Sequence, residues 1–241
     1  MLCGPENWRS WGELVPSVRT GDAGWDRAHG MTWIEFYDRH PEESATFNRA
    51  MAEHTRDASP GLVAGSDLAR FGTVMDVGGG DGTLIAEALR AYPDLEGIVF
   101  DLPSGVTSAP ATLEAAGVAD RGRVVTGDFF AAVPTGADAY LAKQVLHDWD
   151  DERATAILRN LRAAVAPGGR VLILERMLPE VVTPRDAPTL LVDVLMMVVT
   201  GGRERTEQDF QRLFDAAAFE LASIGEPLPP FDYRVIEATP A

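Results

Sequence analysis

The chain has 241 residues, is 46% hydrophobic and carries a formal net charge of −16. That length and apolar content allow one substantial core, while so acidic a surface repels phosphate backbones and anionic lipid, which argues against nucleic acid or a membrane surface as partner. The single cysteine, Cys3, excludes an internal disulfide framework and fits a reducing compartment. No apolar run reaches membrane-spanning length, since "TLLVDVLMMVVT" is short and broken by Asp193, and "MLCGPENWRSWGEL" lacks the pattern of a signal peptide. The expectation is a cytoplasmic protein.

In chain order, "VRTGDAGWDRAHG" carries three glycines and no clear period, which predicts loop or linker. "MTWIEFYDRH" and "PEESATFNRAMAEHTRDA" then place Trp33, Phe36, Tyr37, Phe47 and Met51 at helical spacings, with Pro41 opening the second helix. Residues 1–65 are therefore expected to form a helical linker or cap, and residues 66–241 a catalytic domain. From Thr73 the pattern turns to strands at "TVMDV", "EGIVF", "RVVTG", "DAYLAK" and "RVLILE", alternating with helices such as "DDERATAILRNLRAAV". This alternation predicts an α/β fold with a mostly parallel sheet covered on both faces. The helices "APTLLVDVLMMVV" and "EQDFQRLFDAAA" follow. The last two apolar runs, "FELASIG" and "YRVIEA", are close enough in sequence to predict an antiparallel hairpin at the sheet edge.

The stretch "VMDVGGGDGTLIAEALRAYPDLEGIVFDLPS" carries the first functional signal. Glycines after the first strand let backbone approach a ligand, and ligands of such sheets sit beyond the strand carboxyl ends. No glycine here starts the G-x-G-x-x-G spacing of a dinucleotide site, which disfavours NAD. Gly78-x-Gly80-x-Gly82, preceded by Asp76 and followed by Asp101, instead resembles the S-adenosylmethionine motif of Rossmann-like methyltransferases. A carboxylate after the second strand suits ribose hydroxyls.

Past Asp101 the motifs "FDLP", "GDFF", "KQVLHDWDDE", "APGGRVLILERMLPE" and "GGRERT" occur in order. Together they resemble the O-methyltransferase family that includes plant caffeic acid and isoflavone enzymes and bacterial antibiotic-tailoring enzymes. The resemblance runs from Trp33 to the C-terminus. It implies a seven-stranded Rossmann-like fold and S-adenosylmethionine as cofactor, lined by Gly78, Gly80, Asp101 and Leu102. Asp128 and Phe129 would hold the adenine, and Lys143 would sit near the carboxylate end of the cofactor. His147 would be the general base, with Glu175 and Glu204 as the acids that flank and orient it. Phe47, Met51 and Met196 would line a flat aromatic pocket for a small-molecule acceptor.

The chemistry fits those roles. A phenol with pKa about 10 is protonated at neutral pH and needs a base when it attacks, and a carboxylate on the far ring nitrogen of a histidine fixes its tautomer. Asp150, Asp151 and Glu152 fit the cap and first turn of a helix better than a metal cluster, so no metal is expected. His29, His40 and His54 read as surface or interface residues, and "LPPF", residues 228–231, as a turn. Family members begin with a winged-helix domain that forms a homodimer, and this chain starts inside the linker that follows it. Gln144 stands where many plant members have tryptophan, which favours a bacterial secondary metabolite as acceptor. Relatives with non-methylating chemistry, or a binding module without turnover, are the alternatives.

Overall fold

The computed structural model describes residues 4–241; Cys3, on which the reading of redox compartment rests, lies outside the described residues. The architecture is a seven-stranded sheet between two layers of helices. The strands are β1 (Thr73–Val77), β2 (Glu96–Asp101), β3 (Gly122–Thr126), β4 (Ala139–Lys143), β5 (Arg170–Glu175), β6 (Phe219–Ile224) and β7 (Arg234–Pro240). Their order is β3-β2-β1-β4-β5-β7-β6. The first five run parallel, while β7 pairs antiparallel with both β5 and β6.

The central strands are near-continuous apolar runs because both of their faces are covered. Met75 and Val77 turn to one layer, with Ile157, Leu158 and Leu161 of α8 (Asp151–Ala164) and Phe210 and Phe214 of α10 (Glu207–Ala216). Val74 turns to the other, with Ile85 and Leu89 of α6 (Thr83–Ala91) and Leu62 of α5 (Pro41–Gly65). Asp150 caps α8 by accepting the Arg153 N–H, with Asp151 and Glu152 in the first turn, as the spacing of those acids predicts.

α5 opens at Pro41, and its two ends do different work. Ala58, Leu62 and Val63, in its second half, pack into the core, while Phe47 and Met51 overhang the strand ends. Upstream, the expected linker is helical. α1 (Pro5–Trp11), α2 (Leu14–Thr20) and α3 (Gly24–His29) precede α4 (Trp33–Arg39). The glycines that suggested a loop terminate helices instead: Gly21 and Gly30 take left-handed φ values of 79° and 71° at the ends of α2 and α3. Trp25 of α3 is fully buried, and α3 packs on α9 (Ala187–Val199).

Candidate active site

A cavity of about 520 Å³ opens over the carboxyl ends of β1, β2, β4 and β5. Its floor begins with the turn after β1, where Gly78 and Gly80 adopt φ of 74° and 54°. The Gly80 N–H donates to Oδ2 of Asp101 at 2.9 Å, and the Leu102 N–H donates to Oδ1 at 2.6 Å. Burial pushes the Asp101 carboxyl up, and these two donors pull it back. A Cβ on Gly80 would meet open space, so the turn leaves room in front of the acid. Asp76, beneath it, has a buried Oδ1 with no partner among the described residues, and burial lifts its carboxyl to about 7.

The expected cofactor residues divide. Gly78, Gly80, Asp101, Leu102, Phe129 and Lys143 all line the cavity. Asp128 does not: it is exposed and turns Oδ1 back onto the Phe130 N–H at 2.8 Å. That local bond closes the turn that presents Phe129.

His147 lies in the single 3₁₀ turn after β4, Leu146–Asp148, and is 5% exposed. Its Nδ1 is 2.9 Å from Oε1 of Glu204, and its Nε2 is 3.7 Å from Oδ1 of Asp148. Burial opposes a charged ring, but Glu204, Asp148 and Glu175 outweigh it and lift His147 to about 9. Glu175 departs from its expected part. Its Oε1 accepts the backbone N–H groups of Leu146 and His147, at 2.7 and 3.1 Å, so it holds the turn and not the ring. A carboxylate at the end of β5 meets the neighbouring turn first, which explains the difference.

The "GGRERT" loop wraps that same turn. The Arg203 N–H donates to the His147 carbonyl at 2.9 Å. Arg205, fully buried, donates to the carbonyls of Leu146 and Trp149 at 2.7 and 2.8 Å and pairs with Asp151 at 2.9 Å. A Cβ on Gly202 would run into the His147 carbonyl, so only glycine permits this approach. Asp193 of α9 accepts the Glu204 N–H at 2.9 Å, which places the acid that breaks an apolar helix. Arg205 and Asp193 were not read as site residues; the burial of a charged residue that only contacts reveal is their signal.

The other wall is apolar. Phe47, Met51 and Met196 line it, together with Trp33, Tyr37 and Leu195. One reading changes here. His54 is half-buried in this wall, stacked on Phe231 at 4.1 Å between ring centroids, and is not a surface residue. The "LPPF" turn delivers Phe231 into the cavity because the β6–β7 connection folds back over α5. His29 and His40, both partly buried, bond to the carbonyls of Glu6 and Phe36 and lie outside the cavity lining.

Comparison with known proteins gives the family. The family model for the O-methyltransferase domain matches residues 11–220. O-demethylpuromycin-O-methyltransferase of Streptomyces alboniger is 42% identical over 235 residues, covering 96% of this chain and 62% of that protein. The structure of the mitomycin 7-O-methyltransferase superposes with TM-score 0.94 at 35% identity, over 100% of this chain and 70% of the other. An O-methyltransferase of neocarzinostatin biosynthesis, solved with S-adenosylmethionine and 2-hydroxy-5-methyl naphthoic acid, gives 0.88 at 32% identity, over 98% and 70%. This chain thus spans about 62% of the length of the puromycin relative. Motifs, sheet order and these matches agree, and the chain belongs to the O-methyltransferase domain family.

Proposed function

We propose that this chain binds S-adenosylmethionine and methylates a phenolic hydroxyl of an aromatic small molecule, a secondary metabolite, with His147 as general base. The observation that carries the reading is the sharing of one cavity by the Gly80–Asp101 cradle and the His147–Glu204 pair. One relative is solved with 2-hydroxy-5-methyl naphthoic acid, and another is a 3-amino-4-hydroxybenzoate 4-O-methyltransferase, which supports an acceptor of this class. When bound, the cofactor supplies an electrophilic methyl group on a sulfonium. Asp101 would take the ribose hydroxyls, and the backbone at Gly78 and Gly80 would pass close to the amino-acid portion. Phe129 would stack on the adenine, and Lys143 would face the carboxylate.

The chain's own task is to place the acceptor oxygen and hold its proton. Glu204 occupies Nδ1, which leaves Nε2 to receive the phenolic proton. A base near 9 and a phenol near 10 differ by roughly one unit, or about 1.4 kcal/mol, so the transfer is closely matched. The same elevation leaves the ring largely protonated at pH 7, so turnover should rise with pH. Met51 and Met196, on facing elements, would grip a flat ring, as adaptable thioethers do.

The test is incubation of the chain with S-adenosylmethionine and a panel of phenols, read by mass for replacement of one hydrogen by methyl, beside Asp101→Ala and His147→Ala. Methylated product with native chain, loss of cofactor binding in the first variant and loss of turnover with retained binding in the second are the expected results. Cofactor binding with a different mass change, or with none on any phenol, would favour the alternatives of non-methylating chemistry or a binding module.

A further inference from the structure

Two adjacent strands end in cations: Lys143 closes β4, and Arg176 follows Glu175 at the end of β5. Both line the cavity, and Arg176 is 9% exposed. A buried cation is costly unless an anion answers it. Among the described residues neither is ion-paired. Lys143 Nζ donates to Oε1 of Gln144 at 2.8 Å. Arg176 Nε donates to the Phe231 carbonyl at 2.9 Å and Nη1 reaches the Tyr233 hydroxyl at 3.5 Å, which leaves Nη2 without an acceptor among the described residues. Both cations lie over the Tyr233 ring, at 5.7 and 4.8 Å from its centroid. Burial, with Arg176 adding to it, pulls Lys143 down to about 8 against the opposing pull of Asp76, Asp148 and Asp81, the first of them itself lifted to about 7 by burial.

His54 completes the group. Its Nε2 is 3.5 Å from the Tyr233 hydroxyl, and its Nδ1 is buried with no partner among the described residues. Burial first, then Lys143 and Arg176, hold this ring down to about 4, so it is neutral. If Tyr233 accepts from Arg176 and donates to Nε2, the ring proton sits on Nδ1, as a free donor. A chain of net charge −16 thus places a guanidinium with no carboxylate partner among the described residues, and a neutral imidazole beside it, at one end of this cavity.

The sheet order says which end. β5 lies two strands beyond β1 and three beyond β2. At about 4.8 Å per strand, the backbone of Arg176 is roughly 10 Å from the glycine turn and roughly 14 Å from that of Asp101, on the far side of the strand that leads to His147. We propose that Arg176 and His54 form a carboxylate-binding subsite in the acceptor half of the cavity, beside the Lys143 that faces the cofactor, so that the acceptor is a hydroxyarene bearing a carboxylate. This rests on the methyltransferase reading and names its substrate class. A carboxylate could also come from the amino-acid end of the cofactor, and the experiment separates the two sources.

The whole chain is titrated with S-adenosylhomocysteine alone, and then, in its presence, with 3-hydroxy-2-naphthoate and with 2-naphthol. The native chain should hold the naphthoate about tenfold or more tighter than the naphthol, the scale of a charge-assisted pair. Arg176→Gln and, separately, His54→Gln should erase that preference while leaving the naphthol and S-adenosylhomocysteine affinities near native; thermal unfolding confirms that each variant is folded. Arg176→Lys should recover only part of it, because the fork is lost. No preference for the carboxylate, including no binding of either compound, overturns the subsite. Equal loss for both compounds overturns it as well, by showing a packing role. Weakened S-adenosylhomocysteine binding in the variants would assign the cations to the cofactor and overturn the acceptor assignment. Failure of the native chain to bind S-adenosylhomocysteine at all would overturn the methyltransferase reading beneath it.

Discussion

Glu204 holds His147 through one oxygen only: Oε1 is 2.9 Å from Nδ1, while Oε2 is buried with no partner among the described residues. With no donor on the second oxygen, the charge of this carboxylate is answered chiefly by the imidazole. Burial pushes the ring toward neutrality, and the acids around it reverse that push. The pair combines strong proton affinity at Nε2 with a fixed ring orientation, both of which a base acting on a phenol needs.

The pH dependence follows from the sign of the shift. His147 is raised from 6.5 to about 9 in the folded chain, so its charge stabilises the fold fully below the unfolded value and ceases to do so as pH climbs through about 9. Glu204→Gln removes the main attractive charge. Its melting temperature should fall furthest behind native at acidic to neutral pH, with the gap closing above pH 9. Turnover should move oppositely: native kcat/KM rises between pH 7 and 9, whereas the variant reaches its plateau at lower pH and turns over on the order of 10²-fold more slowly. Superimposable pH–rate profiles for the two proteins would remove His147 and Glu204 from the proton transfer.

Gly202 gives a second, purely steric prediction. A Cβ there would collide with the His147 carbonyl and crowd the backbone of Asp148 and Trp149. Gly202→Ala should therefore displace the turn that carries the base, leaving the glycine turn and Asp101 untouched. Misplacement on the scale of 1 Å can cost about 10²-fold in rate. The expected outcome is that loss in kcat with S-adenosylhomocysteine affinity held within a factor of about three. Native turnover in this variant would mean that the loop can withdraw without moving His147.

The fold was legible because strands covered on both faces must be apolar throughout. "TVMDV", "RVLILE" and the helix "APTLLVDVLMMVV" occupy the spans that their patterns predict. The site was legible where a short motif carries its own geometry, as Gly78, Gly80 and Asp101 do. It was hidden where a role depends on a long-range meeting. Arg205 looks like an ordinary surface arginine until the fold buries it against the carbonyls of Leu146 and Trp149. His54 and Phe231, 177 positions apart by their numbers, become a stacked pair only when the β6–β7 connection crosses α5. Glu175 and Glu204 look alike in sequence, and only the approach direction sends one to the backbone and the other to the ring. Within the expected helical cap, α3 and the end of α2 were missed because glycine serves both loops and helix ends.

Trp25 is the buried centre of those N-terminal helices. Its ring is fully buried, edge-on to Phe36 at 5.2 Å and tilted against His29 at 4.5 Å, on the helix that packs against α9. α9 in turn supplies Leu195 and Met196 to the cavity wall and Asp193 to the Glu204 backbone. Trp25→Ala removes the largest buried side chain of α3 and should cost about 3–5 kcal/mol. For a chain of this size that corresponds to a melting temperature lower by roughly 10 °C. The loss should not be uniform, because α9 borders the acceptor half while the cofactor residues sit on β1 and β2. Titration should show affinity for an aromatic acceptor falling well before that for S-adenosylhomocysteine. A variant that melts lower yet binds the acceptor with native affinity would separate the helical cap from the acceptor pocket and leave it a stabilising role alone.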